Sequence, residues 1–207
     1  MFHWFPAIAP GRELLDLGVI HVYWYSILVL AGILAGFVVA RRFALKNNIA
    51  EATFVDVVFY SMIAGLVGAR FWHVFVFQWA YYREHLVEIP QIWQGGIAIQ
   101  GALIFGLVTL VFLCHRKKIS PWVMTDLLAP GVALGQAIGR WGNFFNQELY
   151  GKPTDLPWGI YISEDQRIEG YGSFSYFHPV FFYESILNLL MFVLLYSQLK
   201  RKRPLGL

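Results

Sequence analysis

The stretch VIHVYWYSILVLAGILAGFVVARR, residues 19–42, decides the fold class of this chain. Its first 22 residues contain no Asp, Glu, Lys or Arg, and a helix of about 20 such residues crosses the hydrocarbon core of a bilayer. Arg41 and Arg42 follow directly. The stretch therefore predicts a membrane-spanning helix that ends in a basic cluster.

The whole chain shares this apolar character. Of its 207 residues, 57% are hydrophobic and 14% are charged, with a mean hydropathy of +0.53, whereas a soluble domain is about 25% charged. We predict an all-α polytopic membrane protein that forms a single membrane-embedded domain over residues 1–207. Its five predicted spans are residues 19–40, 53–79, 97–115, 121–140 and 179–199.

Basic clusters follow alternate spans and predict the orientation of the chain. They are Arg41, Arg42 and Lys46 after the first span, Arg116, Lys117 and Lys118 after the third, and Lys200, Arg201, Lys202 and Arg203 after the fifth. Lys and Arg accumulate in cytoplasmic loops, so we expect the N-terminus outside and the C-terminus inside. Residues 141–178 then form an ordered external cap. Since topology explains these clusters, nothing indicates nucleic-acid binding.

Polar residues within the predicted spans gather near one membrane face. With this orientation, the outer helix ends carry Tyr23, Tyr25, Arg70, His73, Gln100, Gln136, Arg140, His178 and Glu184, while Asp56 and Asp126 lie near inner ends. Ionisable groups in a span usually face a cavity or a partner. Singly, each could instead reach the lipid headgroups. Together they indicate a cavity open at the outer interface, and they disfavour a channel or transporter, which needs polarity across the full depth.

Glycines shape two segments next to these polar groups. Gly131, Gly135 and Gly139 are four residues apart and predict one smooth helix face for close helix packing, which leads directly into Arg140. The segment WQGGIAIQGAL contains Gly95 and Gly96 and predicts a re-entrant turn or a tight helix start before the third span.

The segment GRWGNFFNQELYG, residues 139–151, concentrates hydrogen-bonding groups. The guanidinium of Arg140 suits a phosphate, and Asn143 faces the same ligand if the helix continues for another turn. Glu148 either holds Arg140 by an ion pair or acts as a base. The histidines are scattered, so no metal site is predicted, and the single cysteine, Cys114, excludes an intrachain disulfide. The residues alone thus indicate a membrane protein that handles an anionic lipid.

The same segment resembles the signature of bacterial prolipoprotein diacylglyceryl transferases, which has the form G-R-x-G-N-F-x-N-x-E-x-x-G. All eight fixed positions match, namely Gly139, Arg140, Gly142, Asn143, Phe144, Asn146, Glu148 and Gly151. Other segments resemble the family in the same order along the chain: VYWYSILVLAG, GLVGARFWHVF, WQGGIAIQGALIFG, TDLLAPGVALGQAIGR and HPVFFYES. The resemblance covers essentially the whole chain.

The resemblance implies a reaction at the outer face of the bacterial cytoplasmic membrane. The family transfers the diacylglyceryl group of phosphatidylglycerol to the lipobox cysteine of a prelipoprotein signal peptide, forming a thioether and releasing glycerol phosphate. It needs no cofactor or metal, and its partners are these two substrates and membrane lipids. The implied headgroup-binding residues are Arg70, Gln100, Arg140, Asn143, Asn146 and Gly151, and the implied catalytic residues are Tyr25, Arg140, Asn143, Glu148 and His178.

Two departures from the family pattern keep an alternative open. Many members have histidine where Gln100 stands, and an amide cannot accept a proton at neutral pH. His178 or Glu148 would then deprotonate the thiol. Members also usually continue beyond the point that Leu207 occupies, with two more spans and a Y-G-x-x-R-like segment. The alternative is a lipid-binding pseudoenzyme or an inactive fragment that lacks those C-terminal helices.

Overall fold

A computed structural model describes residues 4–6, 10–18, 21–201 and 206. This part of the chain is mostly helical. The α-helices are α1 (Trp24–Lys46), α2 (Glu51–Trp72), α3 (Trp79–Tyr82), α4 (Ile99–Arg116), α5 (Pro121–Asn146) and α6 (Val180–Lys200). Two small antiparallel sheets pair β1 (Glu13–Asp16) with β2 (His21–Tyr23), and β3 (Ile160–Tyr161) with β4 (Tyr176–Phe177).

Four of the described helices are long and apolar enough to cross a membrane. They are α1, α2 with its continuation to Phe77, α4 and α6. This agrees with the predicted polytopic membrane protein. The fourth predicted span is α5, which has 26 residues but carries Asp126, Pro130 and Gln136 and is therefore less apolar. The total of five spans stays a prediction.

The first predicted span is shifted along the chain. Strand β2 ends at Tyr23 and α1 begins at Trp24, so the prediction that Tyr23 starts a helix is wrong. The helix continues to Lys46, which places Arg41 and Arg42 inside its last turns instead of after it. Residues 19–20 of the predicted span lie outside the described residues, as do Lys202 and Arg203 of the last basic cluster.

The described chain divides into two compact units. Residues 1–40 and 127–203 form the first unit, and residues 41–126 and 204–207 form the second. The prediction of a single membrane-embedded domain therefore stays a prediction. Each unit has its own packing, and the motif segment with most of the predicted site residues belongs to the first.

In the first unit, α1 and α5 meet through glycines. A Cβ atom on Gly32 would lie 2.6 Å from the carbonyl oxygen of Gly135, and one on Gly36 would clash with the carbonyl oxygen of Gly131. This is the close helix approach that small residues allow. Gly139 is different, because an added Cβ would meet no described atom within 4 Å outside its own helix. The prediction that Gly139 extends the packing face is wrong.

The segment between α5 and α6 is ordered around an apolar core. Ile160, Ile162, Phe177 and Phe181 are fully buried there, and Phe144 of α5 packs against them. Burying a side chain of this size contributes about 1.5–3 kcal/mol, so the core explains why a segment with so few strands keeps one conformation. The order agrees with the predicted cap, while its external location stays a prediction.

In the second unit, α2 packs along α4 through small residues. A Cβ on Gly68 would lie 2.7 Å from the carbonyl oxygen of Gly101, and one on Gly65 would lie 3.2 Å from that of Ala102. The sequence placed Asp56 at an inner helix end, and in the structure its carboxylate accepts a hydrogen bond of 2.7 Å from Lys117. Asp56 therefore belongs to a surface ion pair.

Candidate active site

The C-terminal end of α5 carries the central side chains of the site. The helix extends to Asn146, six residues beyond the predicted end of the span, so Arg140 and Asn143 lie one turn apart on the same side. The backbone then turns sharply. Gln147 and Leu149 have positive φ angles of 55° and 54°, a conformation that is uncommon outside glycine and is often found at functional sites. The turn directs Glu148 back towards the helix.

Glu148 holds two amide side chains. Its Oε1 atom accepts hydrogen bonds from Nδ2 of Asn143 at 2.8 Å and from Nδ2 of Asn146 at 3.1 Å. A carboxylate only accepts hydrogen bonds, so both amide nitrogens face Glu148 and both amide oxygens face elsewhere. Among the described residues, Oε2 of Glu148 has no hydrogen-bond partner. The backbone N–H of Glu148 also donates to the carbonyl of Asn143 at 3.0 Å.

Arg140 forms its ion pair with a residue of α6. Its Nε atom lies 2.5 Å from Oε2 of Glu184, and that oxygen is buried without an aligned hydrogen bond. The contact is therefore a close charge pair. The hypothesis that Glu148 holds Arg140 by an ion pair does not describe this structure. The Nη groups of Arg140 donate no hydrogen bond to a described residue, so they are available to a ligand.

Ser185 fixes Glu184 against α5. Its hydroxyl donates to the carbonyl of Ala137 at 2.7 Å and accepts a hydrogen bond of 3.2 Å from Nε1 of Trp141. Ser185 is buried, and buried polar groups joined in this way hold two helices in one register. Glu184 precedes Ser185 on the same helix and is thus placed beside Arg140.

Gly142 makes room for Tyr25. A Cβ at residue 142 would lie 2.7 Å from Cδ2 of Tyr25 and 3.2 Å from its Cα. Beside this contact, Trp24 stacks on Phe145 with a centroid distance of 5.0 Å and an interplanar angle of 18°. These contacts bring the start of α1 against the end of α5, which explains the glycine at this motif position.

An open cleft of about 420 Å³ lies where these elements meet. Three residues of the predicted site line it, namely Tyr25, Asn146 and Glu148. Tyr23, which the sequence placed in the outer polar layer, also lines the cleft, together with three residues that were not predicted, Arg12, Ser26 and Gln166. Arg12 and Gln166 come from loops that only folding brings to α5, so no local pattern connects them with the motif segment.

Gly151 and His178 contact each other in the cap and do not line the cleft. The N–H of Gly151 donates to the carbonyl of His178 at 2.9 Å, and a Cβ on Gly151 would lie 3.0 Å from Cβ of His178. Nδ1 of His178 lies 2.9 Å from the hydroxyl of Tyr183, which accepts a hydrogen bond from Trp158 at 2.8 Å. His178 is not among the residues that line the cleft.

Arg70 and Gln100 belong to the second unit. Arg70 is 7% exposed, and its guanidinium donates four hydrogen bonds to backbone carbonyls. The acceptors are the carbonyl oxygens of Glu88, Ile89, Gly95 and Gly96, at 2.7–2.9 Å. Gly95 and Gly96 have positive φ angles of 87° and 71° and precede α4, which begins at Ile99. Gln100 is the second residue of α4 and is exposed.

We expect Arg70→Met to destabilise the second unit and loosen residues 86–96. The substitution leaves four part-buried carbonyls without their donor, and a polar group left unpaired costs up to about 1–3 kcal/mol when it is buried. Limited proteolysis of the purified protein should show new cleavage in residues 86–96. The matched control is Arg83→Met, because Arg83 is exposed and contacts only Glu84, at 3.4 Å. Equal protease resistance of the two variants would contradict this role of Arg70.

One group of described side chains has the composition of a metal site. Glu13, Asp16 and His21 place their ligand atoms within 4.8 Å of one another on the β1–β2 hairpin, and all three are exposed. Nδ1 of His21 lies 3.4 Å from Asp16 and 3.6 Å from Glu13. These contacts describe a cluster of exposed polar side chains, and no further observation on the described residues points to a metal.

Comparison with known proteins assigns the family. The family profile described as prolipoprotein diacylglyceryl transferase matches residues 12–206. The chain belongs to this family. The family consists of transferases, and the match includes the whole motif segment together with Arg12, Tyr25 and Glu184.

Individual relatives support the family assignment. The chain is 41% identical over 189 residues to the phosphatidylglycerol–prolipoprotein diacylglyceryl transferase of Acaryochloris marina, covering 91% of this chain and 69% of the relative. It is 42% identical over 187 residues to the Synechococcus elongatus transferase of the same name, and the match covers 90% of this chain and 64% of that relative. The corresponding Gloeobacter violaceus protein is 42% identical over 200 residues, covering 95% and 74%. The chain thus spans about two thirds of the length of these relatives.

Proposed function

We propose that this chain transfers the diacylglyceryl group of phosphatidylglycerol to the lipobox cysteine of prelipoproteins. The observation that carries the proposal is the arrangement at the end of α5, where Arg140 presents free Nη groups and Glu148 orients the amides of Asn143 and Asn146. The names of the relatives, which act on phosphatidylglycerol and prolipoprotein, support the proposal.

The reaction breaks one carbon–oxygen bond and forms one carbon–sulfur bond. The cysteine thiolate attacks the diacylglyceryl carbon that carries the phosphate ester, and glycerol phosphate leaves with the electrons of the C–O bond. The phosphate gains negative charge as it leaves. Donors aimed at developing charge lower the barrier, and the planar fork of an Arg140 guanidinium matches phosphate oxygens. We infer that Asn143, Asn146 and Gly151 bind the same headgroup, while the predicted headgroup contacts of Arg70 and Gln100 stay predictions.

The thiol must also lose its proton, because the thiolate is the nucleophile. Of the two candidate bases, Glu148 lines the cleft beside Tyr25 and keeps Oε2 free of hydrogen bonds from described residues. His178 does not line the cleft, and its Nδ1 contacts Tyr183. The geometry therefore favours Glu148 as the base, with Tyr25 lining the reaction site.

We expect Glu148→Gln to lower kcat by about 10²- to 10⁴-fold, the usual contribution of a general base, and His178→Gln to lower it less than about tenfold. The amide oxygen that replaces the Glu148 carboxylate can still accept from the asparagines, so the site keeps its shape. The loss should shrink above about pH 9, where a thiol of pKa about 8.5 ionises without help. Rates of peptide lipidation between pH 6 and 10 measure this.

Glu164→Gln is the matched control, because Glu164 is an exposed carboxylate of the same cap. It should leave the pH–rate profile unchanged. A larger loss in His178→Gln than in Glu148→Gln, rescued at high pH, would assign the base to His178 instead.

We place the chain in the bacterial cytoplasmic membrane with its cleft on the outer face. The basic residues near the ends of α1, α4 and α6 support this orientation through the positive-inside rule. Leu156 is exposed in the cap, so a Leu156→Cys variant should react with a membrane-impermeant maleimide on intact spheroplasts. Cys114 is buried and gives little background. Labelling that occurs only after lysis would contradict this orientation and place the cap on the cytoplasmic side.

The direct test of the function is a lipidation assay with this 207-residue chain. The purified protein is incubated with phosphatidylglycerol vesicles and a lipobox peptide, and the thioether product is measured by mass spectrometry. A peptide with serine for the lipobox cysteine is the control. Lipid binding without any product, while the Acaryochloris marina relative is active in the same assay, would support the pseudoenzyme alternative.

A further inference from the structure

The hydroxyl of Tyr183 joins three parts of the first unit. Nε1 of Trp158, which lies in the segment between α5 and α6, donates a hydrogen bond of 2.8 Å to this hydroxyl. Nδ1 of His178, two residues before α6, lies 2.9 Å from the same oxygen. Tyr183 itself is the fourth residue of α6. A single phenolic oxygen, part-buried like both of its partners, therefore connects the cap to the start of the helix.

The chemistry of the three groups decides the direction of both hydrogen bonds. An indole N–H only donates, whereas a phenol donates one hydrogen and accepts through its oxygen. Because Trp158 already donates to the oxygen of Tyr183, the hydroxyl hydrogen is best used on Nδ1 of His178. If Nδ1 carried the hydrogen instead, the hydroxyl hydrogen of Tyr183 would have no acceptor in the described part of the chain.

This direction selects one tautomer of the neutral His178 ring. An imidazole whose Nδ1 accepts a hydrogen bond carries its hydrogen on Nε2. In that form Nε2 is already protonated and Nδ1 is occupied by the hydroxyl of Tyr183. Neither nitrogen can then take a proton from a thiol unless the contact with Tyr183 breaks.

The backbone of His178 holds the end of the motif segment. Its carbonyl accepts from the N–H of Gly151 at 2.9 Å, and its N–H donates to the carbonyl of Lys152 at 3.0 Å. Gly151 comes three residues after Glu148. A hydrogen bond that fixes the side chain of His178 therefore restrains the backbone that closes the turn carrying Glu148.

The other side of Tyr183 leads to Arg140. Glu184 directly follows Tyr183 on α6, and its carboxylate lies 2.5 Å from Nε of Arg140. The contacts of Trp158 and His178 with Tyr183 thus attach the cap to the same turn of α6 that pairs with Arg140. Networks of this kind hold packed segments in one arrangement.

We propose that Tyr183 is a positioning residue for diacylglyceryl transfer, which keeps neutral His178 in the tautomer with its hydrogen on Nε2, and that Trp158 sets the direction of this hydrogen bond. His178 then acts as a fixed support of the motif turn. The inference rests on the proposed function for its kinetic test, whereas its spectroscopic test needs no turnover.

The first test determines the tautomer of His178 by nitrogen NMR of the histidine-labelled chain in detergent, at an alkaline pH where imidazole is neutral. A ring nitrogen that carries hydrogen resonates far from one that does not, and the signal missing in His178→Gln identifies this residue. The wild type should carry the hydrogen on Nε2, and Tyr183→Phe should show a mixture of tautomers. Hydrogen on Nδ1 in the wild type, or a tautomer that Tyr183→Phe leaves unchanged, would overturn the proposal.

Two further samples sharpen the NMR test. His85 is an internal reference of the opposite kind, because its Nδ1 lies 2.9 Å from the carbonyl of Tyr81, which only accepts, so its hydrogen is expected on Nδ1. Trp158→Phe should also populate the second tautomer of His178, since the oxygen of Tyr183 is then free to accept from Nδ1. An unchanged tautomer in Trp158→Phe would remove Trp158 from the proposal.

The second test asks whether Tyr183 acts through His178. Tyr183→Phe should lower kcat of peptide lipidation about 2- to 10-fold, the equivalent of one neutral hydrogen bond, with little change in KM. In a His178→Ala background the same substitution should have no further effect, because the acceptor is absent. Tyr60→Phe is the matched control, since Tyr60 is exposed and its hydroxyl donates to no described residue. An equal loss in both backgrounds would overturn the role through His178.

The two tests separate the possible failures. If the wild type transfers no lipid but its His178 tautomer depends on Tyr183, the proposed function fails while the assigned hydrogen bond stands. If transfer proceeds and the tautomer does not depend on Tyr183, the positioning role is overturned and the proposed function stands.

Discussion

Arg140→Ala is expected to reduce diacylglyceryl transfer at least about 10²- to 10³-fold, the cost of losing one donor aimed at developing charge. The free Nη groups of Arg140 face no described protein acceptor, so their role is towards a ligand. Arg140→Lys should recover only part of the rate, since an ammonium lacks the planar fork. Initial rates of peptide lipidation at saturating phosphatidylglycerol measure both variants.

Glu184→Gln tests how much the ion pair with Glu184 contributes to the position of the Arg140 guanidinium. This variant keeps the guanidinium of Arg140 and replaces the carboxylate beside Nε with a neutral amide. We expect the rate of diacylglyceryl transfer to fall less than about tenfold, with kcat more affected than KM. Both side chains of the pair are partly exposed, at 35% and 40%, so neither variant should unfold the protein, and thermal melting in detergent checks this. Near-normal transfer by well-folded Arg140→Ala would remove Arg140 from the mechanism.

The sequence predicted those parts of the site that lie close together along the chain. Arg140 and Asn143 share a helix side because three residues make almost one turn, and the predicted condition that the helix continues is met by α5. Glu184 lies 44 residues after Arg140, and Arg12 lies 134 residues before Asn146. No periodicity or local motif connects such residues, so the partner of Arg140 and the cation of the cleft could not be predicted.

The difference between local and long-range contacts also explains why parts of the fold were predicted wrongly. The apolar run of residues 19–40 predicted a span correctly, but its residues 21–23 pair with β1, a partner strand that hydropathy does not reveal. Gly131, Gly135 and Gly139 are equivalent in sequence spacing, yet only the first two face glycines of α1. The hydrogen bonds of Arg70 to four backbone carbonyls depend on the fold of residues 86–96 and could not be predicted either, while its role towards a ligand stays a prediction.

Gly36→Ala is expected to destabilise the folded chain strongly. The new Cβ would clash with the carbonyl oxygen of Gly131, and backbone atoms cannot rotate away as a side chain does. Overpacking commonly costs about 1–3 kcal/mol, and we expect the upper end or more. For a chain of this size, each kcal/mol shifts Tm by about 2–4 °C, which thermal melting in detergent detects.

The glycines of this interface form a graded series of controls. The same methyl on Gly135 would lie 3.1 Å from the carbonyl oxygen of Gly32, and on Gly139 it would meet no described atom within 4 Å outside its own helix. Gly135→Ala should therefore be milder, and Gly139→Ala should be neutral or stabilise α5 by up to about 1 kcal/mol, because alanine favours helix. Equal melting temperatures for Gly36→Ala and Gly139→Ala would mean that α1 and α5 do not pack through these glycines. If the helices separate instead, Tyr25 moves away from Gly142, and transfer should fall in parallel with Tm.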